Sequence, residues 1–145
     1  TVSGDDRPLW ISYSLEETID TEPRLRSGEP VVDGVQAAIE SQASALLFNC
    51  SQPESMGLAV ETAIREIDKA GTDLPVGVYA NAFVVLQKDV EANISLTEIR
   101  GDLNPDEYLR FVEDWCRLGA TIIGGCCGIG PEHISRIDSW LKSDP

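Results

Sequence analysis

The stretch Ala45-Leu46-Leu47-Phe48-Asn49-Cys50-Ser51-Gln52-Pro53 decides the fold. Its apolar run predicts a strand buried on both faces, Ser51 offers a helix N-cap, and Pro53 suits a first helical turn, where no backbone N–H is needed. The following helix carries Ala59, Ala63, Ile64 and Ile67 on one face and stops at Gly71, which accepts left-handed backbone. The same strand-then-helix unit recurs on either side. Upstream, Leu9 to Ser14 reads as a strand, and Pro30 opens a helix over Val31 to Gln42 with Val31, Val35, Ala38 and Ile39 apolar. Downstream, Val76 to Ala80 is a strand, and Asn104-Pro105 starts a helix that buries Tyr108, Leu109, Val112, Trp115 and Cys116 and ends near Gly119. Ala120 to Gly124 is the last strand, and Pro131 opens a helix with Ile134, Ile137 and Leu141 on one face.

Repeated units with near-continuous apolar strands predict an α/β fold of parallel strands covered by helices. A (β/α)8 barrel takes about 250 residues. The 145 residues here are filled by four units, so the chain reads as a single domain over residues 1–145, either half of a barrel or a small open sheet. One connection is out of scale. Asn81 to Leu103 far exceeds the roughly two to six residues usual between strand and helix, and reads either as a lid or binding segment or as a surface excursion with a short hairpin or helical turn.

Charge excludes several partner classes. Eleven basic residues against 25 acidic ones give a net charge of −14, and the isoelectric point is near 4.2. That field repels phosphate backbones and anionic lipid, and no cluster of Lys or Arg offsets it, so neither nucleic acid nor a membrane surface is an expected partner. No apolar stretch approaches the roughly 20 residues of a spanning helix. No secretory leader is legible, although a chain opening on Thr1 leaves an upstream segment open.

Four cysteines are present, Cys50, Cys116, Cys126 and Cys127. A bridge between neighbours Cys126 and Cys127 is strained, and the chain is long enough to build a core without covalent staples, so reduced thiols in a cytoplasmic protein are the expectation. Cys50 closes the second strand, and Cys126 and Cys127 follow Gly124-Gly125 after the fourth. Three thiols therefore lie at the carboxyl ends of parallel strands, where such folds keep their chemistry. If the sheet curls, they converge on one ion. Thiolates are soft ligands that suit tetrahedral Zn²⁺, and three of them leave one position for water or substrate. The flanking glycines would let both neighbouring sulfurs turn toward the same ion. Spacing also leaves open three strand-end cysteines that never meet. Cys116, within a helix, reads as a small buried hydrophobe, and His133, the sole histidine, as a helix-start packing or capping group. Tyr79 must face away from Val78 and Ala80, but alternation does not say which face lines the mouth.

The run Gly119-Ala120-Thr121-Ile122-Ile123-Gly124-Gly125-Cys126-Cys127-Gly128, then Gly130-Pro131-Glu132-His133-Ile134, with Phe48-Asn49-Cys50-Ser51 and Pro53-Glu54, resembles the zinc-dependent homocysteine S-methyltransferase family. The Gly-Gly-Cys-Cys-Gly signature is highly specific, and the resemblance runs from Pro8 to Ile137, including Trp10 to Ser14 and Val76 to Asn81. It implies a (β/α)8 barrel of the TIM type, of which this chain supplies the last four βα units, the carboxyl-terminal half. It implies Zn²⁺ held by Cys50, Cys126 and Cys127, with the thiol of homocysteine as fourth ligand. The implied reaction moves a methyl group from an activated donor, S-methylmethionine, S-adenosylmethionine or similar, to the zinc-bound thiolate, giving methionine. Asn49 and Asn81 are the candidate substrate-binding residues; Asn81 is also a candidate for the fourth metal position when substrate is absent, and either is equally a strand-end turn residue. Family members are much longer, and the amino-terminal half would supply the opening strands and much of the amino-acid pocket. A half-barrel exposes two strand edges and an apolar interior, which predicts pairing with that half or with a second copy. The alternative function is a non-catalytic zinc-binding half-barrel that acts as a self-associating or assembly module.

Overall fold

Strand and helix alternate four times in a computed structural model, which describes residues 7–17, 22–84 and 98–143. The order is β1 (Trp10–Ser14), α1 (Val31–Glu40), β2 (Ala45–Asn49), α2 (Pro53–Ala70), β3 (Val76–Tyr79), α3 (Pro105–Arg117), β4 (Ile122–Ile123) and α4 (Pro131–Ser143). The strands form one sheet in sequence order, every neighbouring pair parallel. Sequential parallel strands joined by helices are the repeating unit of a (β/α)8 barrel, and four such units make roughly half of one.

Register fixes which side chains share a face. Trp10 lies opposite Ala45, Ser12 opposite Leu47, Ser14 opposite Asn49, and Asn49 in turn opposite Tyr79. The alternate set, Leu46, Phe48, Val76 and Val78, packs in one buried cluster with Val35 and Ala38 of α1, Met56, Ala59 and Ala63 of α2, and Tyr108, Val112 and Trp115 of α3. The outer face is thus the core, and the face bearing Asn49 and Tyr79 is the barrel interior.

The punctuation follows local rules at most ends. Gly71 closes α2 at φ +63°, and the Asn104 carboxamide caps α3, its Oδ1 accepting from Asp106 N–H at 3.0 Å and Glu107 N–H at 3.1 Å. Ser51 behaves otherwise. The residue at the N-cap of α2 is Gln52, with no side-chain capping bond, while Ser51 Oγ accepts from the buried Leu15 N–H at 2.7 Å. A buried N–H just past β1 needs a partner, and Ser51 supplies it. The regular part of β4 is shorter than Ala120 to Gly124, although Thr121 N–H still donates to Val76 O and Gly124 N–H to Val78 O, each at 2.9 Å. On α4, Ile137 and His133 are buried but Ile134 and Leu141 remain 44% and 56% exposed. This helix packs against α3, so one stripe is covered rather than the whole apolar face.

The long connection begins and ends as an antiparallel pair. Val84 N–H donates to Glu98 O at 2.9 Å and Arg100 N–H to Ala82 O at 2.8 Å. Residues 85–97, the body of the expected lid or excursion, lie outside the described residues. Among the described residues, no helix is long and apolar enough to cross a membrane.

Candidate metal centre

Backbone pairing continues past the strand ends and brings the distant cysteines together. Cys50 N–H donates to Tyr79 O at 3.0 Å and Asn81 N–H to Ser51 O at 3.1 Å on one flank. On the other, Cys126 N–H donates to Ala80 O and Ala82 N–H to Cys127 O, each at 2.8 Å. Residues 79–82 therefore form a rail with Cys50 on one side and Cys126-Cys127 on the other. The Sγ atoms of Cys126 and Cys127 are 3.7 Å apart and those of Cys50 and Cys127 3.9 Å. All three sulfurs lie within 4.8 Å of one another, and all are free thiols. The alternative of cysteines that never meet is excluded.

Two backbone features accommodate this convergence. Cys50 takes φ +45°, a left-handed conformation uncommon for a residue with a side chain and often found where function over-determines the geometry. Gly128 takes φ +81°, and a Cβ there would sit 3.0 Å from the Cβ of Ala82, while a side chain at Gly125 would run into Ile129. Only glycine fits on either side of the cysteine pair.

The thiols are electrostatically unlike. Burial pushes the Cys50 thiol up, but hydrogen bonds from Cys126, Asn81 and Cys127 and the charge of Arg26 outweigh it and hold Cys50 below the ordinary thiol range. Cys126 moves the other way, to about 12, through burial and its hydrogen bond to Cys50. Cys50 therefore gives up its proton more readily than Cys126, and a soft divalent cation would displace the protons of the cluster. The donor set fits such an ion: three sulfurs at strand ends, mutually in reach, and unbridged.

The two asparagines part company. Asn81 is buried beside the thiols, with Nδ2 donating toward Cys50 Sγ at 3.9 Å. Asn49 faces the barrel interior, where its Oδ1 accepts from Ser12 Oγ at 3.2 Å and Ser14 Oγ at 3.4 Å. Tyr79 is on the same inner face, its Oη 2.7 Å from Ser12 Oγ. His133 keeps a structural post: its Nδ1 accepts from Gly130 N–H at 3.1 Å at the start of α4, and its Nε2 lies 2.9 Å from Leu103 O. A carbonyl only accepts, so the proton sits on Nε2. Cys116 is half-buried against the core and outside the thiol cluster.

Sequence reading passes over the partners of these groups. Strand alternation places Ser12 and Ser14 on the face of Asn49, so that contact had a local signal. Gln52, whose Nε2 donates to Asn81 Oδ1 at 3.0 Å, had none, because the bond spans two separate segments.

A parallel βα array with three convergent thiols at its carboxyl rim defines a domain of the barrel class with a cysteine cluster that could hold a metal ion. The homocysteine S-methyltransferase family profile matches residues 2–141, and the chain belongs to that family. Homocysteine S-methyltransferase 2 of Zea mays is 25% identical over 140 residues, covering 95% of this chain and 37% of that protein. The homocysteine S-methyltransferase YbgG of Bacillus subtilis is 30% identical over 135 residues, covering 92% and 38% respectively. The crystal structure of the oxidized form of the homocysteine methyltransferase MmuM from Escherichia coli shares the fold, with a TM-score of 0.59 and 24% identity over 92% of this chain and 36% of that one. The chain spans well under half the length of the curated relatives it matches, 37% and 38% of the two named here.

Proposed function

We propose that residues 1–145 form a single domain, the carboxyl-terminal half of a barrel enzyme that transfers a methyl group from an activated donor to the sulfur of homocysteine, giving methionine. The observation that supports this reading most directly is the convergence of Cys50, Cys126 and Cys127 within 4.8 Å in a chain of this family. These three residues would hold Zn²⁺. When bound, zinc supplies the positive charge that removes the proton from an incoming thiol and leaves it nucleophilic at neutral pH. The protein's own part is to orient. The backbone rail at residues 79–82 fixes the three sulfurs relative to one another, and Asn81 gives Cys50 an N–H donor. Asn49, steadied by Ser12 and Ser14, is placed on the interior wall to hydrogen-bond the polar end of the amino acid. Homocysteine's sulfur attacks the methyl carbon in line, and the donor departs with the electron pair of the broken bond. A net charge of −14 favours a cationic donor such as S-methylmethionine or S-adenosylmethionine. Reduced thiols suit a cytoplasmic setting.

The interior face calls for a complement. Trp10 is 57% exposed there, beside an open hollow of about 370 Å³ lined in part by Ser12, Leu47 and Tyr79. An amino-terminal half or a second copy of the chain would close it. The same exposed face favours the second reading, a zinc-holding assembly module without catalysis.

The test is elemental analysis of freshly reduced chain alongside Cys50→Ala and Cys126→Ala, with and without homocysteine, followed by assay of methionine formation with either donor. Zinc lost in both variants and spectroscopically perturbed by homocysteine supports the enzyme reading. Zinc retained by the native chain but indifferent to homocysteine favours the assembly module. Zinc-free protein shown to be folded refutes a metal site carried by this chain alone.

A further inference from the structure

We propose that Arg100 and Gln52 are positioning residues that compel Asn81 to present an N–H, and not its oxygen, to the sulfur of Cys50. The inference rests on the thiol cluster being the reactive centre and assigns it a control element at the foot of the long connection.

A carboxamide has two ends of similar size and opposite hydrogen-bonding character, so its orientation must be decided by neighbours whose character is fixed. Three such neighbours are present. The Arg100 guanidinium can only donate, and its Nη1 lies 2.8 Å from Gln52 Oε1. The Phe83 carbonyl can only accept, and it lies 2.8 Å from Gln52 Nε2. The Phe83 N–H can only donate, and it lies 3.2 Å from Asn81 Oδ1. With its oxygen turned to Arg100, Gln52 has its amide nitrogen toward Asn81 Oδ1 at 3.0 Å. Asn81 Oδ1 then takes two donors, and Nδ2 is the end left for Cys50 Sγ, 3.9 Å away. Donor follows acceptor without a break from a cation to a thiol.

Both carboxamides are 5% exposed, so a reversed Asn81 would find no water to satisfy it. It would turn an amide donor toward the Phe83 N–H, which can only donate, and strip it of its acceptor. Arg100 itself is held firmly, its Nη2 donating to Glu54 Oε1 and to Asp102 Oδ2, each at 2.7 Å. Hydrogen bonds to Asp102 and then Glu54 raise its already high pKa further, so it is charged throughout the working range. Glu54 lies in the first turn of α2 and Asp102 beyond the antiparallel pair, so the guanidinium ties the end of the connection to the helix next to Cys50. In this arrangement the Asn81 oxygen is engaged twice, by Gln52 and by the Phe83 N–H. The Asn81 N–H draws electron density from Cys50.

Proton NMR of the reduced, metal-free native chain, 15N-labelled and assigned, reads the orientation directly. The Asn81 Nδ2 protons are expected to show stronger nuclear Overhauser contacts to the Cys50 Hβ protons than to the Phe83 amide proton; the reverse order overturns the proposal. Gln52→Glu keeps the shape and the Arg100 partner but removes the donor, and it is expected to reverse that order. The same variant should weaken binding of cobalt(II), used as the spectroscopic substitute for zinc, by about 10- to 100-fold and shift its thiolate charge-transfer bands. Arg100→Met should move both readouts in the same direction, and Arg100→Lys, which keeps a donor-only cation, should restore them. Contacts and bands unchanged in Gln52→Glu and Arg100→Met would also overturn the proposal, since a merely structural pair would alter stability without turning the amide. If the native chain takes up no cobalt, the metal reading fails, yet the amide contacts still decide the orientation.

Discussion

On the outer face of the sheet, Leu46, Phe48, Val76 and Val78 are fully buried beneath α1, α2 and α3. On the inner face Trp10 stands 57% exposed, and Ser12, Ser14, Asn49 and Tyr79 bond to one another across the strands. The same strands thus belong to two environments of very different completeness. Stability resides on the outer face, where apolar surface leaves water. The inner face carries polar groups and an open hollow. The thiols sit at the rim where the faces meet, yet the pairing that assembles them, from Cys50 through Tyr79 to Cys126, belongs to the sheet itself. The site can therefore form on a half-barrel whose interior is unfinished.

The sharpest way to break this comparison is to truncate one aromatic on each face. Phe48→Ala empties the middle of the outer core and is expected to cost about 3–5 kcal/mol. Trp10→Ala removes a larger side chain and is expected to change stability by no more than about 0.5 kcal/mol. Urea unfolding at several protein concentrations measures both. A large and concentration-dependent loss in Trp10→Ala would show instead that a second copy covers the inner face, and the two faces would no longer differ.

The next effect concerns how the first strand is tied to the second unit. Ser51→Ala leaves the buried Leu15 N–H without its acceptor, at a cost of about 1–3 kcal/mol. Hydrogen exchange at the Leu15 amide should accelerate selectively, while amides in the first turn of α2 keep their native rates. Acceleration confined to α2 would mean that Ser51 acts as the helix cap that its position suggests.

That contrast marks what a sequence can disclose. The repeating units were legible because their signals are local: apolar runs, Pro53 and Pro105 at helix starts, Gly71 at a helix end, and the Asn104 cap. The three cysteines were legible as candidates because strand ends are locally readable, and a parallel sheet places those ends on one rim. Ser51 was misread because its partner, Leu15, lies in another unit. The burial of α4 was not legible, because period assigns Ile134, Ile137 and Leu141 to one face without telling how many neighbours that face has. Gln52 and Arg100 gave no signal at all, since their bonds to Asn81 and Glu54 exist only once the feet of the long connection close on α2.

The smallest effect joins the two faces through one hydroxyl. Tyr108 of α3 belongs to the outer core, packing edge-on against Trp115 and His133, yet its Oη donates to Gly124 O at 2.9 Å, directly before Gly125 and the cysteine pair. Tyr108→Phe keeps the packing and removes that bond, for a loss of about 1 kcal/mol at neutral pH. Burial pushes the phenol well above its ordinary value. The unfolded chain gives up this proton near pH ~10, whereas the folded chain holds it. Above that pH the unfolded state binds fewer protons, so the contribution from the neutral phenol, complete below pH ~10, is lost as pH rises further. Phenylalanine has no proton to lose. The stability gap between native chain and variant should therefore narrow from pH 9 to 11 and then reverse, as measured by urea midpoints at matched ionic strength. A gap that stays constant across that range would mean the hydroxyl is solvated in the folded state, and the link from the outer core to the thiol rim would then rest on backbone pairing alone.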